Sequence, residues 1–353
     1  MYESPYFFSS AVVAQPDFDL EIIELEKIYR QQDQSFISIL NAIRNKTVSD
    51  GHLELLNKQI KKNIKLEDGM VYLTGRNDSA QDINDHKLDS LKAKPTIFAG
   101  KVKGNFGERD FPTQQALILK PGAQVMFVAN DTNGQRVNGT LGKVKKIHKG
   151  KVIVDIYDGD TVEVGNHYWK MYSYDFDKKT KKLTTDVVGA FTQIPLKLAR
   201  AITIHKSQGK TFDKVIVDVG WGIFAHGQTY VALSRCRSLE GISLTSPVKE
   251  NHVIVDYRIM NFLTKYQYAQ SAKRMPLAEK IDFITQAISD KKDFQMTYLK
   301  STDIKITRTM TPTKVGEMIF KETKFLGVEA ICHPQMDRRI FNVEKILEMK
   351  VVE

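Results

Sequence analysis

The sequence predicts an α/β protein with a small antiparallel β-barrel inserted into its main layer and a small, β-rich α+β unit at its C-terminus. Three patterns predict it. The short apolar run Val71–Leu73 precedes helical spacing over Asn77–Leu91, which is one strand-then-helix step. Between Thr140 and about Thr192, apolar residues alternate with polar ones at Val144, Val152, Val154, Ile156, Val162 and Val164. From Phe294 onward the chain is strand-like again.

The elements follow in order. Residues 1–16 are aromatic and irregular. Asp17–Lys65 carries apolar residues at helical spacing, with Leu20, Ile23, Leu25 and Ile28 in one stretch and Phe36, Ile37, Ile39, Leu40 and Ile43 in the next. A helix over Glu21–Tyr29 would bring Arg30 to its end. Ala116–Lys120 and Gln124–Ala129 read as further strands of the α/β layer, separated by the turn Pro121-Gly122. In the alternating region, turns fall at Lys149-Gly150 and Asp158-Gly159-Asp160, and Asp177–Lys182 (DKKTKK) reads as a hairpin tip. Short strands with close turns indicate a small barrel. The α/β pattern resumes at Pro195 and runs to about Pro247. Asp256–Tyr268 and Leu277–Ile288 read as helical linkers. Gln295–Leu299, Ile304–Met310, Lys324–Ile331 and Ile340–Val343 are the final strands.

At 353 residues the chain is long enough for two or three domains. Its net charge of +10 favours a polyanionic partner, nucleic acid being the commonest, although many basic proteins have no such partner. Two isolated cysteines, Cys236 and Cys332, make neither a disulfide framework nor a zinc site, and no metal site is expected. No apolar run reaches membrane-spanning length, and the N-terminus lacks a signal-peptide pattern. A cytoplasmic, nucleoid-associated location is the default.

Two dense motifs remain. Ala201–Asp218 (AITIHKSQGKTFDKVIVD) joins a polar run to a short strand, Val215–Val217. Its Gly209-Lys210-Thr211 is not a phosphate loop, because that loop needs a glycine five positions earlier and Ile204 stands there. Asp218 likewise lacks a second carboxylate after it. Hydroxyls, an imidazole and a lysine at a strand–loop junction suit phosphates, and Gly209 lets a backbone approach closely. Taken alone, His205 reads as part of a capped loop. The second motif, Gln228–Ser238 (QTYVALSRCRS), carries Arg235 and Arg237. Taken alone, Arg30 and Arg235 are surface cations.

Ser4–Val248 resembles the Pif/RecD-like DNA helicases, superfamily one, of five-prime to three-prime type. The resemblance is carried in order by SPYFFSS, LEKIYRQQDQSFISILNAIR, VYLTGRNDSAQDIN, LKPGAQVMFVANDTNGQRVNGTLGKV, IPLKLARAITIHKSQGKTFDKVIVD and GQTYVALSRCRSLEGISL, over about two thirds of the chain. It implies a RecA-like second motor domain of the P-loop-NTPase type. Residues 17–140 and 193–250 would form that domain and 1–16 a remnant of the first. Residues 141–192 would be an inserted Src-homology-three-like barrel and 251–281 a helical linker.

The resemblance implies that Arg30 and Arg235 face ATP, which suits guanidinium because it is always charged and bidentate toward phosphate. It places Gln208 and Gly209 near the nucleotide edge of the cleft. It makes Thr74, Asn77, Asn84, Asn138, His205, Lys206 and Ser207 candidates for a single-stranded DNA track. Lys143, Lys145, Lys146, Lys149 and Lys151, with the DKKTKK hairpin, would meet the DNA backbone or the duplex ahead, although each lysine alone reads as solvated surface. Single-stranded DNA and DNA junctions are the implied partners. In the family, the phosphate loop and the carboxylates for Mg²⁺ precede the stretch resembling SPYFFSS. ATP with Mg²⁺ is therefore expected only together with a first motor domain, and this chain alone is expected neither to hydrolyse ATP nor to unwind DNA.

Residues 282–353 resemble a WYL domain, with Thr297-Tyr298-Leu299 at the signature and Thr in place of the usual Trp. That resemblance makes Tyr298, Arg308 and Arg339 candidates for a polar ligand pocket. Two other readings stay open: a stand-alone nucleic-acid-binding regulator whose WYL-like unit senses a ligand, and a partner that completes another ATPase in trans.

Overall fold

The computed structural model describes residues 4–15, 17–23, 28–62, 64–131, 136–148, 150–220, 223–300, 304–320 and 322–352. They divide into two compact units. One comprises Ile28–Ile43 and Val48–Ile254; the other comprises Met1–Lys27, Arg44–Thr47 and Val255–Glu353.

The larger unit is built on a four-stranded parallel sheet in the order Ala201–Thr203, Val71–Thr74, Val215–Val217, Ile242–Leu244. These strands are short apolar runs because a parallel sheet is covered on both faces. Helix Gln34–Arg44 packs Phe36, Ile39, Leu40 and Ile43 into the same core as Val71, Leu73, Val215, Val217, Ile242 and Leu244. That spacing of three and four keeps the apolar stripe on one helical face. Burying each such side chain contributes roughly 1.5–3 kcal/mol. Helix Asp50–Asn57 starts at a capping box in which Ser49 accepts from His52 N. No helix forms among described residues 17–23 and 28–33, so Arg30 does not end a helix. The apolar residues there do not converge on a core; Ile23 is 78% exposed. Leu25 lies outside the described residues.

Helix Asn77–Asp89 turns Ala80, Asn84 and Leu88 inward. Ala201–Thr203 is the edge strand of the parallel sheet, so its outer backbone groups lack a strand neighbour. Asn84 supplies partners: its Nδ2 donates to Ala201 O at 2.8 Å and its Oδ1 accepts from Ala201 N at 2.9 Å.

A five-stranded antiparallel sheet follows, in the order Leu196–Leu198, Gln124–Phe127, Leu141–His148, Lys151–Ile156, Thr161–Val164. Val144, Val152, Val154, Val162 and Val164 point into its core, as the alternation requires. Gln124–Phe127 pairs here and not in the α/β layer. The reason lies in Gln124, whose buried amide donates to Met70 O and Ala199 O and accepts from Gly69 N and Tyr157 Oη. All four of its bonding positions are used, which fixes this strand beside the parallel sheet. A separate three-stranded sheet is Lys101–Gly104, Lys182–Gln193, His167–Asp177 in order. Its long hairpin turns within Asp177–Lys182, the segment predicted as a tip. At its base, Trp169 and Phe111 stack on Phe191.

In the smaller unit, helices Tyr257–Arg274 and Leu277–Asp290 accompany a five-stranded antiparallel sheet. Its order is Asp337–Asn342, Thr323–Cys332, Lys305–Phe320, Phe294–Leu299, Ile346–Val351. Leu277–Asp290 is no linker: Ile284 and Ala287 sit in the core with Phe294, Met296 and Val328. Lys280 is buried among neutral oxygens, donating to Ser271 Oγ at 2.8 Å and Ile346 O at 2.6 Å. Tyr6, Phe7 and Phe8 belong to this unit. Phe8 stacks on Phe262 at 4.4 Å, and Tyr6 Oη donates to Asp256. Among the described residues, no helix is long and apolar enough to cross a membrane.

Candidate nucleic-acid and nucleotide site

The carboxyl ends of adjacent parallel strands assemble the first part of the site. Thr74 and Thr203 are register partners at those ends, a position where α/β sheets commonly bind ligands. Beyond Thr203 the chain makes one tight turn, His205–Ser207, and reverses at Gly209, whose φ of +76° favours glycine. Ile204 N donates to Thr74 O at 2.9 Å, which locks the turn to the neighbouring strand. Ser207 Oγ donates to Ile204 O at 2.6 Å and is fully buried, so it shapes the turn. His205, Lys206, Gln208 and Gly209 face outward. Asn77, in the first turn of its helix, is exposed, whereas Thr74 is buried and accepts from Arg76 N. Lys210 Nζ donates to Asn138 Oδ1 at 3.3 Å, bringing Asn138 to this turn.

Lys197 was not singled out by sequence reasoning. Burial pushes its ammonium down to about 8, with Lys206 and Lys210 adding to the effect. These three lysines therefore crowd one region. Lys197 lies inside the stretch IPLKLARAITIHKSQGKTFDKVIVD, but nothing there marks its role; the only signal is a lysine between two leucines. Asn84 is not on this surface, since both ends of its amide bind Ala201. Asp218 is an internal acceptor, taking bonds from Gly220 N and Thr245 Oγ1, each at 3.1 Å.

The second part of the site is a pair of guanidiniums. Helix Gln228–Leu233 ends at Ser234, and the chain then pairs Cys236 with Phe212 in a parallel bridge. This bridge carries Arg235 to Lys210 and Thr211. Arg235 is 8% exposed; it donates to Val231 O at 3.0 Å, Lys210 O at 3.3 Å and Ser234 Oγ at 3.0 Å. Arg30 donates to Thr211 Oγ1 at 2.9 Å and Ser234 O at 2.7 Å. Gln31 braces the same corner, donating to Ser234 O and Cys236 O.

All these bonds end on neutral oxygens. Burial, followed by the charge of Arg30, lowers the Arg235 pKa. Two like charges held together on neutral acceptors favour an anion beside them. An open cleft of about 700 Å³ lies here, walled by Arg30, Gln31, Thr211, Tyr230, Ser234 and Arg237. Arg235 lies beneath this wall, while Arg237 lines it and pairs with Asp213 at 3.2 Å. The walls do not include Gln208 or Gly209. The residues present fit the phosphate end of a nucleotide. Among the described residues, no group of three His, Cys, Asp or Glu could hold a metal ion.

No family model matches the chain. It is 27% identical over 290 residues to the ATP-dependent DNA helicase Pif1 of Campylobacter jejuni, covering 76% of this chain and 64% of that protein. It is 33% identical over 259 residues to human PIF1, covering 70% of this chain and 38% of the relative. Bacteroides Pif1 solved with ADP-AlF4 aligns with a TM-score of 0.66 and 34% identity, over 75% of this chain and 60% of that one. Over about 70% of its length the chain is homologous to Pif1-family superfamily-one DNA helicases. That homology identifies the α/β unit as RecA-like. The same Bacteroides Pif1 solved with ADP-AlF3 and single-stranded DNA aligns at a TM-score of 0.58 and 34% identity, over 75% of this chain and 61% of that one. The chain thus spans less than two thirds of each of these relatives.

The remaining candidates lie in other places. In the antiparallel sheet, Lys143 pairs with Asp68, Lys145 with Asp155 and Lys151 with Glu163. Lys146 is exposed, and Lys149 lies outside the described residues. In the smaller unit the sheet register puts Tyr298, Arg308 and Arg339 on one face. Tyr298 packs edge-on against Phe341 at 5.3 Å, and burial raises its pKa. Arg339 pairs with Asp337, and Arg308 Nε is buried without a hydrogen bond in this structure.

Proposed function

We propose that this chain is the second-motor portion of a Pif1-like, ATP-dependent DNA helicase of five-prime to three-prime type. In that reading, residues 17–140 and 193–250 form the motor domain, 141–192 an inserted Src-homology-three-like barrel and 282–353 a WYL-like domain. The turn at His205–Gly209, with Thr74, Asn77 and Asn138 near it, tracks single-stranded DNA. Arg30 and Arg235 stabilise negative charge on the terminal phosphate of ATP held by a first motor domain. ATP with Mg²⁺ supplies the free energy of stepping. This chain's part is to hold two guanidiniums rigidly at one edge of the cleft and to couple that edge to the DNA side. Lys210 makes the link, since its carbonyl accepts from Arg235 and its ammonium reaches Asn138.

The convergence of Arg30 and Arg235 on Ser234, with Arg30 also on Thr211 Oγ1 and Arg235 on Lys210 O, carries the proposal, because the two are far apart in sequence and share no carboxylate. With no G-x-x-x-x-G-K-[ST] loop in the sequence, the chain alone is proposed to be ATPase-inactive. The homology favours this reading over a stand-alone regulator. Within it, Tyr298, Arg308 and Arg339 remain the proposed ligand face of the WYL-like domain, and DNA junctions a proposed partner.

Fluorescence anisotropy of a labelled oligothymidylate tests the proposal. Affinity is expected to fall steeply between 50 and 200 mM salt, with a slope of about −0.7 per neutralised phosphate. His205→Ala with Lys206→Ala should weaken binding at least about tenfold. Salt-independent binding, or an unchanged double variant, defeats the assignment of the turn.

A further inference from the structure

Beyond its DKKTKK tip, the long hairpin carries an aromatic stripe to which no role has been given. On strand His167–Asp177, alternate residues share a face. Tyr168, Lys170, Tyr172, Tyr174 and Phe176 lie on one side. Their register partners extend that side: Phe176 faces Leu183, Tyr174 faces Thr185 and Tyr172 faces Val187. The stripe is open to solvent, with Tyr174 65%, Phe176 55% and Leu183 63% exposed. A contiguous exposed apolar patch on a projecting hairpin marks a binding surface.

The charge is arranged to match. Lys178, Lys179, Lys181 and Lys182 cluster at the tip, where the register sets Lys182 beside Asp177 on the other face, and Lys170 sits within the stripe. Among the described residues, none of these five forms an ion pair, in contrast to Lys143, Lys145 and Lys151. The acids Asp175, Asp177 and Asp186 belong to the opposite face by register. Asp177 is already occupied, accepting from Lys179 N at 2.8 Å and Thr180 Oγ1 at 2.7 Å. That bonding fixes the turn and so fixes the lysines. The surface therefore offers rings to something flat and cations to something anionic. Same-face positions along a strand are about 6.8 Å apart. A nucleobase occupies about 3.4 Å of stack, so one base fits between successive rings.

We propose that the face Tyr172, Tyr174, Phe176 and Leu183 is a stacking platform for the unpaired bases of single-stranded nucleic acid, with the tip lysines holding its phosphates. This deepens the DNA-binding reading and rests on it, but it uses residues separate from the turn at 205–209. Duplex DNA, whose base faces are hidden, should engage the platform poorly.

The test uses the full chain and an oligothymidylate containing one 2-aminopurine, whose fluorescence reports stacking. Tyr172→Ala, Tyr174→Ala and Phe176→Ala together should lower affinity about tenfold and abolish the fluorescence change, leaving the salt slope intact. Lys178→Ala, Lys179→Ala, Lys181→Ala and Lys182→Ala together should instead flatten the salt slope. All seven positions are exposed or at the turn, and thermal unfolding should match that of the parent chain. The proposal is overturned by a triple aromatic variant with unchanged affinity and fluorescence, or by an equal loss for duplex and single strand. Sedimentation provides a third arm: loss of a dimer by that variant without loss of DNA binding makes the face a self-association surface. If His205→Ala with Lys206→Ala weakens binding and the aromatic variant does not, only the platform fails. The reverse result removes the turn and keeps the platform.

Discussion

The turn-and-arginine region and the five-stranded antiparallel sheet are both rich in cations, yet they hold them in opposite ways. In the sheet, Lys143, Lys145 and Lys151 each end on a carboxylate within 3.2 Å. Around the turn, Arg30 and Arg235 end only on carbonyls and hydroxyls, while Lys197, on the sheet strand Leu196–Leu198, is pushed down to about 8 by burial, with the charges of Lys206 and Lys210 adding to it. A net charge of +10 does not distinguish the two regions. Pairing does: a neutralised lysine has little left to offer a phosphate, whereas a cation on neutral oxygens keeps its charge for a ligand. The proposed anion site at the turn and arginines thus lies away from the most lysine-rich strand of this unit, Leu141–His148.

Removing a cation held by neutral oxygens should have the largest effect. Arg235→Ala leaves the Lys210 carbonyl without its guanidinium partner and Val231 O with the Ser234 hydroxyl alone, inside a buried corner. The expected cost is about 2–3 kcal/mol, read as a lower urea midpoint at constant slope. A midpoint within error of the parent would mean that Arg235 does not brace this corner. The comparison would then rest on Arg30 alone.

The next effect is a pH dependence. The Lys197 ammonium titrates near 8, well below its ordinary value. It is charged below that pH and neutral above it, so single-stranded DNA affinity should fall a few-fold between pH 7 and 9. Lys197→Met should remove that dependence. Stability should move the other way. Between about 8 and the ordinary lysine range the unfolded chain binds more protons than the folded one, so stability rises with pH across that window. A pH-independent affinity in the parent chain would take Lys197 out of the anion surface.

The sequence revealed the motifs but not their accounting. The parallel strands were legible because a doubly covered strand is a short apolar run, as at Val215–Val217. The hairpin tip was legible from Asp177–Lys182. Gln124–Phe127 was misplaced because its sheet is chosen by one buried amide with partners at Met70 and Ala199, tens of residues away. Asn84 sits in a motif that resembles a DNA track, yet an edge strand claims its side chain, and periodicity carries no sign of that. Lys197 and the pairing of Lys143, Lys145 and Lys151 were hidden for the same reason, since whether a lysine faces a carboxylate depends on sheet register.

The smallest effect is the most discriminating. Lys145→Ala with Lys151→Ala removes two formal charges, whereas His205→Ala with Lys206→Ala at the turn removes one, histidine being neutral at pH 7. Both lysines are exposed, and exposed pairs contribute only about 0–1 kcal/mol, so the fold should be nearly indifferent. Because Asp155 and Glu163 already neutralise them, single-stranded DNA affinity at 100 mM salt should change less than about twofold. If charge count alone governed binding, this variant would weaken DNA more than His205→Ala with Lys206→Ala. A tenfold loss would show that phosphates displace the carboxylates, and that the pairing seen in the sheet is a resting state released by DNA.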